Sequence, residues 1–211
     1  MAGSTAKRPA IKLVEPEPQE EPAAVYGRVE PPYWGTVAIV GGGPSLIDFD
    51  YERLRGATVL AVKSAIFNIP WADAGFGLGE WPDKLASVSS RIYWAVPDGR
   101  RTPAPENMTL LRRRDGQDVS DDPGEVYGGG TSGFGAFQIA LHKHAKRIVL
   151  FGFDYEGDDR KWKIWAEHFR VYVPHLTASG ASVVNACPWS AISCFQKATL
   201  DDGVRALSPR P

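Results

Sequence analysis

The amino-acid sequence predicts an α/β protein, a three-layer sandwich built on a mostly parallel sheet. Short β-branched, apolar runs alternate along the chain with segments of helical hydrophobic spacing, which is typical of strands joined by crossover helices. The predicted strands are Thr36–Val40, Thr58–Val62, Gly75–Leu78, Arg91–Val96, Met108–Leu111, Glu125–Tyr127, Arg147–Phe153 and Ser182–Asn185. No repeat of solenoid period interrupts this alternation.

Three segments between these strands are predicted as helices. The first is the amphipathic stretch from Pro44 to Arg55, and the second carries apolar residues at helical spacing from Phe134 to His144. The third runs over residues 161–178, where Pro174 should kink or end the helix. Residues 112–124 are charged and rich in turn formers, so we expect a surface loop, with Arg112–Arg114 as a solvated basic triplet.

Length and charge narrow the class of protein. The chain has 211 residues and a formal charge of −1, which fits one α/β domain and argues against a dedicated nucleic-acid binder. Cys187 and Cys194 have neither zinc-site nor disulfide-framework spacing, which favours a reducing compartment. The sequence has no apolar run long enough to span a membrane and no signal-peptide core, so we expect a cytoplasmic protein without membrane contact.

The N-terminal region differs in composition from the rest. Residues 1–34 hold six prolines and an acidic stretch, a composition that predicts a disordered or extended arm before a domain at residues 35–207 and a tail at 208–211. The alternative is an arm that docks on a partner protein through apolar residues such as Tyr33 and Trp34.

A glycine-rich turn follows the first strand. Gly41, Gly42 and Gly43 allow the backbone to bend sharply and to approach a ligand closely. Pro44 suits the first turn of a helix, and Ser45 can cap it. The free N–H groups of such a helix start favour a phosphate or a carboxylate, so we interpret the turn as an anion site, with a merely tight turn as the alternative.

A second glycine-rich turn precedes the Phe134–His144 helix. Its Thr131, Ser132 and Gly133 again place hydroxyls and N–H groups at a helix start, and Asp154 follows the next strand, at the sheet edge where ligands collect. The run 128–133 matches the GxGxxG dinucleotide fingerprint literally. Because only a three-residue strand precedes it, we favour a phosphate site other than an NAD site.

The titratable side chains include a few candidates for catalysis and for metal binding. His168 and His175 lie seven residues apart, so each is a candidate general acid or base, with an ordinary surface or core histidine as the alternative. Asp73, Glu80 and Asp154 are the carboxylates that can hold Mg²⁺ against a nucleotide's phosphates.

Several of these pieces together resemble the MptE-like family. That family includes the archaeal 6-hydroxymethylpterin diphosphokinase and is similar to motility accessory factor glycosyltransferases and bacterial sialyltransferases; this chain looks most like its short phage and prophage members. The resemblance covers about residues 36–205. The matching pieces are Val37–Leu46, Pro70–Asp73, Thr131–Gly133 with Ala136 and Ala140, Ile148–Asp154, and Val184–Asn185 with Pro188.

The resemblance implies a Rossmann-like sheet that binds ATP or a nucleotide-sugar. It implies that Gly41–Ser45 and Ser132–Gly133 face the donor's phosphates and that Asp154 lies at the site. The chain departs from the family pattern at Lys63, where the family usually has Asn, and at Gly79 or Glu80, where it usually has Asp. Lys63 can still meet a phosphate as a point charge, whereas the missing Asp leaves Mg²⁺ binding in question.

Two functions remain open at this point. The first is a transferase with a nucleotide-activated donor, glycosyl transfer being slightly favoured over diphosphoryl transfer because it can proceed without a metal. In this hypothesis His168 moves the proton and Asp154 acts at the site, while positioning and charge stabilisation supply most of the catalysis. The second is a catalytically degenerate binding or assembly protein, of a phage particle for example, whose residues 1–34 dock on a partner.

Overall fold

A computed structural model describes residues 24–80, 82–98, 104–157 and 159–208. Its strands form one parallel sheet in the order β6-β5-β4-β3-β2-β1-β7-β8-β9. The bounds are β1 Thr36–Val40, β2 Thr58–Val62, β3 Ala74–Leu78, β4 Arg91–Val96, β5 Met108–Arg114, β6 Glu125–Tyr127, β7 Arg147–Phe151, β8 Ser182–Asn185 and β9 Gln196–Lys197. The sheet therefore grows in one direction from β1 to β6 and in the other from β7 to β9.

Helices and short turns connect these strands and confirm the predicted α/β sandwich. The α-helices are α1 Ala65–Asn68, α2 Ser132–His142, α3 Arg160–His168, α4 Tyr172–Ser179 and α5 Leu200–Leu207. In the described part of the chain, four 3-10 turns accompany them, at Pro44–Leu46, Tyr51–Leu54, Asp83–Ser87 and Phe169–Val171. No helix in the described part of the chain is long and apolar enough to cross a bilayer.

The sheet is buried on both faces, as its uninterrupted apolar strands predict. On one face, Val37 and Ile39 of β1 share a core with Phe137 of α2. On the other face, Ala38 and Val40 share a second core with the 3-10 turns after β1. Helix α5 packs beside that second core, against β7 and β1. This layering holds the ends of β1 and β7 next to each other.

The prediction of a helix from Pro44 to Arg55 is wrong. The segment forms two separate 3-10 turns, because Asp48 between them adopts a left-handed backbone with φ of 64°, which ends a right-handed helix. Asp50 then caps the second turn by accepting a hydrogen bond from the Glu52 N–H. The chain therefore crosses from β1 to β2 without a long helix over the sheet edge.

One other boundary differs from the prediction, and the interruption expected from Pro174 is present. Strand β5 continues to Arg114, so the basic triplet lies on a strand paired with β6 and not in a surface loop. The predicted helix over 161–178 is broken at Phe169–Val171, five to three residues before Pro174. The break follows from the proline ring, which clashes with the carbonyl four residues earlier, at Arg170.

Part of the predicted N-terminal arm packs on the domain. Gly27 N–H donates to the Leu110 carbonyl at the edge of β5 (2.9 Å), and Trp34 N–H donates to the Lys143 carbonyl (2.8 Å). Val29 and Trp34 are buried in the same core as α2, whereas Tyr33 is exposed. Residues 1–23 and 209–211 lie outside the described residues, and the prediction of an arm and a tail there stays a prediction.

We predict that the aromatic cluster beneath α2 dominates the stability of the domain. Phe137 lies 4.4 Å from the Tyr172 ring and 5.5 Å from the stacked Phe195 ring, measured between centroids. Phe137→Ala should lower the free energy of unfolding by about 3–5 kcal/mol, the usual cost of emptying a buried phenylalanine site. Chemical denaturation measures this value.

Tyr33→Ala is the control for this substitution. Tyr33 is 64% exposed, so its removal should cost less than about 1 kcal/mol. Equal losses for the two variants would show that the cluster beneath α2 is not the main core.

Candidate functional site

A cavity of about 480 Å³ opens beyond the carboxyl ends of β1 and β7, where the strand order reverses direction. Such a switch point is the usual ligand site of an open α/β sheet. Nine of the predicted site residues line this cavity: Gly41, Gly42, Gly43, Pro44, Lys63, Thr131, Ser132, Gly133 and Asp154. Ser45, Asp73, Glu80, His168 and His175 do not. The two glycine-rich turns, far apart in sequence, therefore face the same space.

The first turn is fastened to the end of β7. Gly43 N–H donates to the Gly152 carbonyl (3.0 Å), and Ser45 N–H donates to Asp154 Oδ2 (3.1 Å). A Cβ atom on Gly43 would collide with the Asp154 carboxylate and would lie 2.6 Å from the Gly152 oxygen. Glycine is needed here because the two chain segments approach so closely.

This arrangement changes the interpretation of the first turn. The expected helix start is only a three-residue 3-10 turn, and the N–H group of Ser45 is used by the protein's own carboxylate. Among the described residues, Gly42 N–H is left without an acceptor on this turn. The Ser45 side chain does not line the cavity.

Asp154 is a buried anchor for the surrounding loops. Its side chain is 2% exposed, with Oδ2 accepting from Ser45 and Oδ1 accepting from the Cys187 thiol at 2.6 Å. Burial, together with the hydrogen bond to Asp154, raises the pKa of the Cys187 thiol to about 12, so this thiol remains a protonated donor at neutral pH. Both carboxylate oxygens are thus engaged inside the protein.

The three carboxylates predicted to hold Mg²⁺ do not converge on one site. Both Asp154 oxygens already accept hydrogen bonds, Asp73 accepts the Val59 N–H at the start of β2 (2.8 Å), and the exposed Glu80 does not line the cavity. Within residues 24–80, 82–98, 104–157 and 159–208, no group of three or more His, Cys, Asp or Glu side chains has a metal-site arrangement.

The second turn keeps its donors available. Thr131 caps α2 by accepting from the Phe134 N–H at 3.2 Å, after Gly129 and Gly130 have turned the chain with positive φ angles. No acceptor in the described part of the chain takes the N–H groups of Ser132 and Gly133. These groups lie at the positive end of an eleven-residue helix, which favours an anion.

An aromatic wall that the sequence analysis did not assign completes the cavity. Tyr155, Trp162 and Trp165 line it beside the second turn. The two indole rings meet edge to face with centroids 5.2 Å apart, and the Tyr155 hydroxyl lies 2.6 Å from Thr131 Oγ1. Burial raises the pKa of Tyr155, so its hydroxyl stays neutral. The i, i+3 spacing of the tryptophans on α3 was the available signal.

Lys63 is the cationic side chain of the cavity wall. Its backbone is left-handed, with φ of 55°, a conformation that asparagine adopts more readily than lysine. Its ammonium group donates to the Leu78 carbonyl (2.6 Å) and lies 4.9 Å from the centre of the Trp94 ring. Partial burial lowers the pKa of Lys63.

The structure does not bring His168 to the cavity. Its Nδ1 atom lies 2.9 Å from the Gly129 carbonyl oxygen, and its ring meets Phe134 edge to face. His168 therefore supports the second turn from behind. His175 lines a different cavity, with His142 and His144.

Solved structures with a similar fold include glycosyltransferases. The MAf glycosyltransferase from Magnetospirillum magneticum AMB-1 aligns with a TM-score of 0.57 and 16% identity over 89% of this chain and 40% of its own. The sialyltransferase CstII from Campylobacter jejuni, solved with the substrate analogue CMP-3FNeuAc, aligns with a TM-score of 0.45 and 15% identity over 78% of this chain and 85% of its own. No protein-family profile and no curated protein sequence matches the chain.

The comparison with the MAf enzyme shows the fold and not the family. The chain spans two fifths of the length of the MAf enzyme that it resembles. The α/β fold predicted from the resemblance is confirmed, whereas membership of the MptE-like family has no support at the level of sequence.

We predict that Asp154 contributes to stability through the first glycine turn. Asp154→Ala should lower the free energy of unfolding by about 1–3 kcal/mol, because it leaves the partly buried Ser45 N–H and the buried Cys187 thiol without an acceptor. Asp154→Asn should cost less, since its amide oxygen can still accept from that N–H. Chemical denaturation at pH 7 separates these cases.

The control is Asp98→Ala. Asp98 is exposed and, among the described residues, pairs with Arg112 and Arg114 at 3.4 and 3.8 Å, so its loss should cost at most about 0.5 kcal/mol. If Asp154→Ala is as mild as this control, Asp154 does not anchor the turn.

Proposed function

We propose that this protein is a glycosyltransferase that takes a nucleotide-activated sugar as its donor. One observation carries the proposal: the two glycine-rich turns and an aromatic wall line a single cavity at the switch point of the sheet. The cavity's volume of about 480 Å³ is within the range of small-molecule sites, roughly 300–1,000 Å³. The similarity in fold to the MAf glycosyltransferase supports the same class of reaction.

The donor's phosphate would bind at the second turn. The N–H groups of Ser132 and Gly133 are available there, and Lys63 supplies a positive charge on the same cavity wall. The first turn is a poorer phosphate site, since the negative Asp154 carboxylate already accepts its Ser45 N–H. In this proposal Gly41–Pro44 form the wall against which the rest of the donor packs.

The base or the sugar ring would stack on the aromatic wall. Trp162 and Trp165 are partly exposed in the cavity, and indole rings bind both nucleobases and the apolar faces of sugars through contact area. Stacking of this kind tolerates different bases, so the base of the donor remains open.

Glycosyl transfer fits the cavity better than diphosphoryl transfer. Phosphoryl-transfer enzymes rely on metal ions that bridge the phosphates, whereas the Asp154 and Asp73 carboxylates already accept hydrogen bonds within the protein, which leaves Glu156 as the exposed carboxylate on the described cavity wall. Positioning and charge stabilisation at the second turn would supply most of the rate. Because His168 lies behind that turn, the exposed Glu156 on the cavity wall replaces it as our candidate for accepting the proton of the acceptor's hydroxyl.

The alternative function, a binding or assembly protein, loses one of its supports. Trp34, which was to contact a partner, is buried in this protein's own core. Tyr33 is exposed and remains available to a partner, and residues 1–23 lie outside the described residues. The glycosyltransferase proposal also includes membership of the MptE-like family and a cytoplasmic location.

A thermal-shift screen tests the donor. Nucleoside monophosphates, diphosphates and nucleotide-sugars, with and without Mg²⁺, should include at least one compound that raises the melting temperature, because a ligand of the native state stabilises it. No shift with any nucleotide would contradict the proposal.

Tryptophan variants then locate the bound compound. Trp162→Ala and Trp165→Ala should each weaken its binding by about tenfold, since stacking on an aromatic ring contributes about 1–3 kcal/mol per base. Trp189→Ala is the control, because Trp189 is exposed beside another cavity. Equal affinities of all three variants would place the nucleotide elsewhere. Titration by calorimetry gives the dissociation constants.

A further inference from the structure

A second cavity, of about 470 Å³, adjoins the first. The two share Lys63 and the stretch Gly130–Ser132 as a common wall. A ligand in each cavity would therefore meet the other at the positive end of α2, where the donor's phosphate is proposed to bind.

The second cavity is polar, unlike the first. Much of its wall is glycine backbone, which brings peptide groups rather than side chains to a ligand, and Leu78 is its single apolar side chain among the lining residues that the structure describes. The first cavity, by contrast, has Phe153, Trp162 and Trp165 on its wall. A hydroxylated ligand fits the second cavity better than an apolar ring.

Positive charge exceeds negative charge in this cavity. Lys63 and Arg113 face one carboxylate, Asp115, whose Oδ1 atom lies 3.3 Å from Arg113 Nη2. The position of Arg113 on β5 explains why it alone of the basic triplet reaches the cavity. Its neighbours Arg112 and Arg114 lie on the opposite side of the strand and pair with Asp98.

We infer that the second cavity binds the acceptor and that this acceptor carries an anionic group, a carboxylate or a phosphate, held by Arg113. The inference rests on the proposed function for its donor. A guanidinium group binds either anion through paired hydrogen bonds. In the absence of the anion, the Arg113 guanidinium group pairs with Asp115. An acidic or phosphorylated sugar combines the hydroxyl groups and the charge that these walls favour.

Three small probes test the inference by calorimetric titration of the full chain. Methyl β-glucuronide carries a carboxylate, glucose 6-phosphate carries a phosphate, and methyl β-glucoside is the neutral match. At least one charged probe should bind at least about fivefold more tightly than the neutral one. Its binding should persist when a nucleotide from the thermal-shift screen saturates the first cavity.

Variants assign the charge to a residue. Arg113→Gln should weaken binding of the charged probe by about tenfold, and Asp115→Asn should strengthen it by about twofold because it removes a competing carboxylate. Arg112→Gln is the matched control, one residue away and outside both cavities, and should leave the affinity unchanged. The opposite signs of the Arg113 and Asp115 effects exclude a general loss of structure.

Three results would overturn the inference. They are equal binding of the charged and neutral probes, equal effects of Arg113→Gln and Arg112→Gln, and displacement of the charged probe by nucleotide. If no nucleotide binds but a charged probe binds through Arg113, the proposal of a nucleotide-sugar donor is wrong. The cavity is then an anion site without an acceptor role.

Discussion

The hydrogen bonds to the Asp154 carboxylate shape the site. One carboxylate oxygen accepts the Ser45 N–H of the first glycine turn, and the other accepts the Cys187 thiol after β8. Because Asp154 lies three residues after the end of β7, these bonds tie three loops together at the sheet edge. The approach is so close that only glycine fits at position 43. Asp154 and the start of α2 line the same cavity at this edge.

This anchoring gives the two glycine-rich turns different roles. The first turn satisfies most of its donors within the protein and forms a wall, whereas the second presents the Ser132 and Gly133 N–H groups to the cavity. The charges follow the same division. The buried carboxylate lies at the first turn, and the cations Lys63 and Arg113 line the space around the second. A bound anion would therefore be drawn to one side of the site, with the aromatic wall beside it.

The sequence predicted the sheet well because its strands are buried on both faces and lack an alternating pattern. It predicted most of the cavity because glycine turns follow strand ends, and parallel strands end at one edge. The two 3-10 turns after Pro44 were not predictable in this way, because they depend on the left-handed backbone of a single residue, Asp48. His168 was misplaced because spacing on a helix does not tell which side faces the site, and the same ambiguity hid Trp162 and Trp165.

The most direct test of this account is an NMR titration of the ¹⁵N-labelled protein with the nucleotide selected by thermal shift. The account predicts that the backbone amides of Ser132 and Gly133 and the indole N–H signals of Trp162 and Trp165 shift together with one dissociation constant. Shifts centred instead on Trp189 and the cavity beside it, with those four signals unchanged, would contradict it.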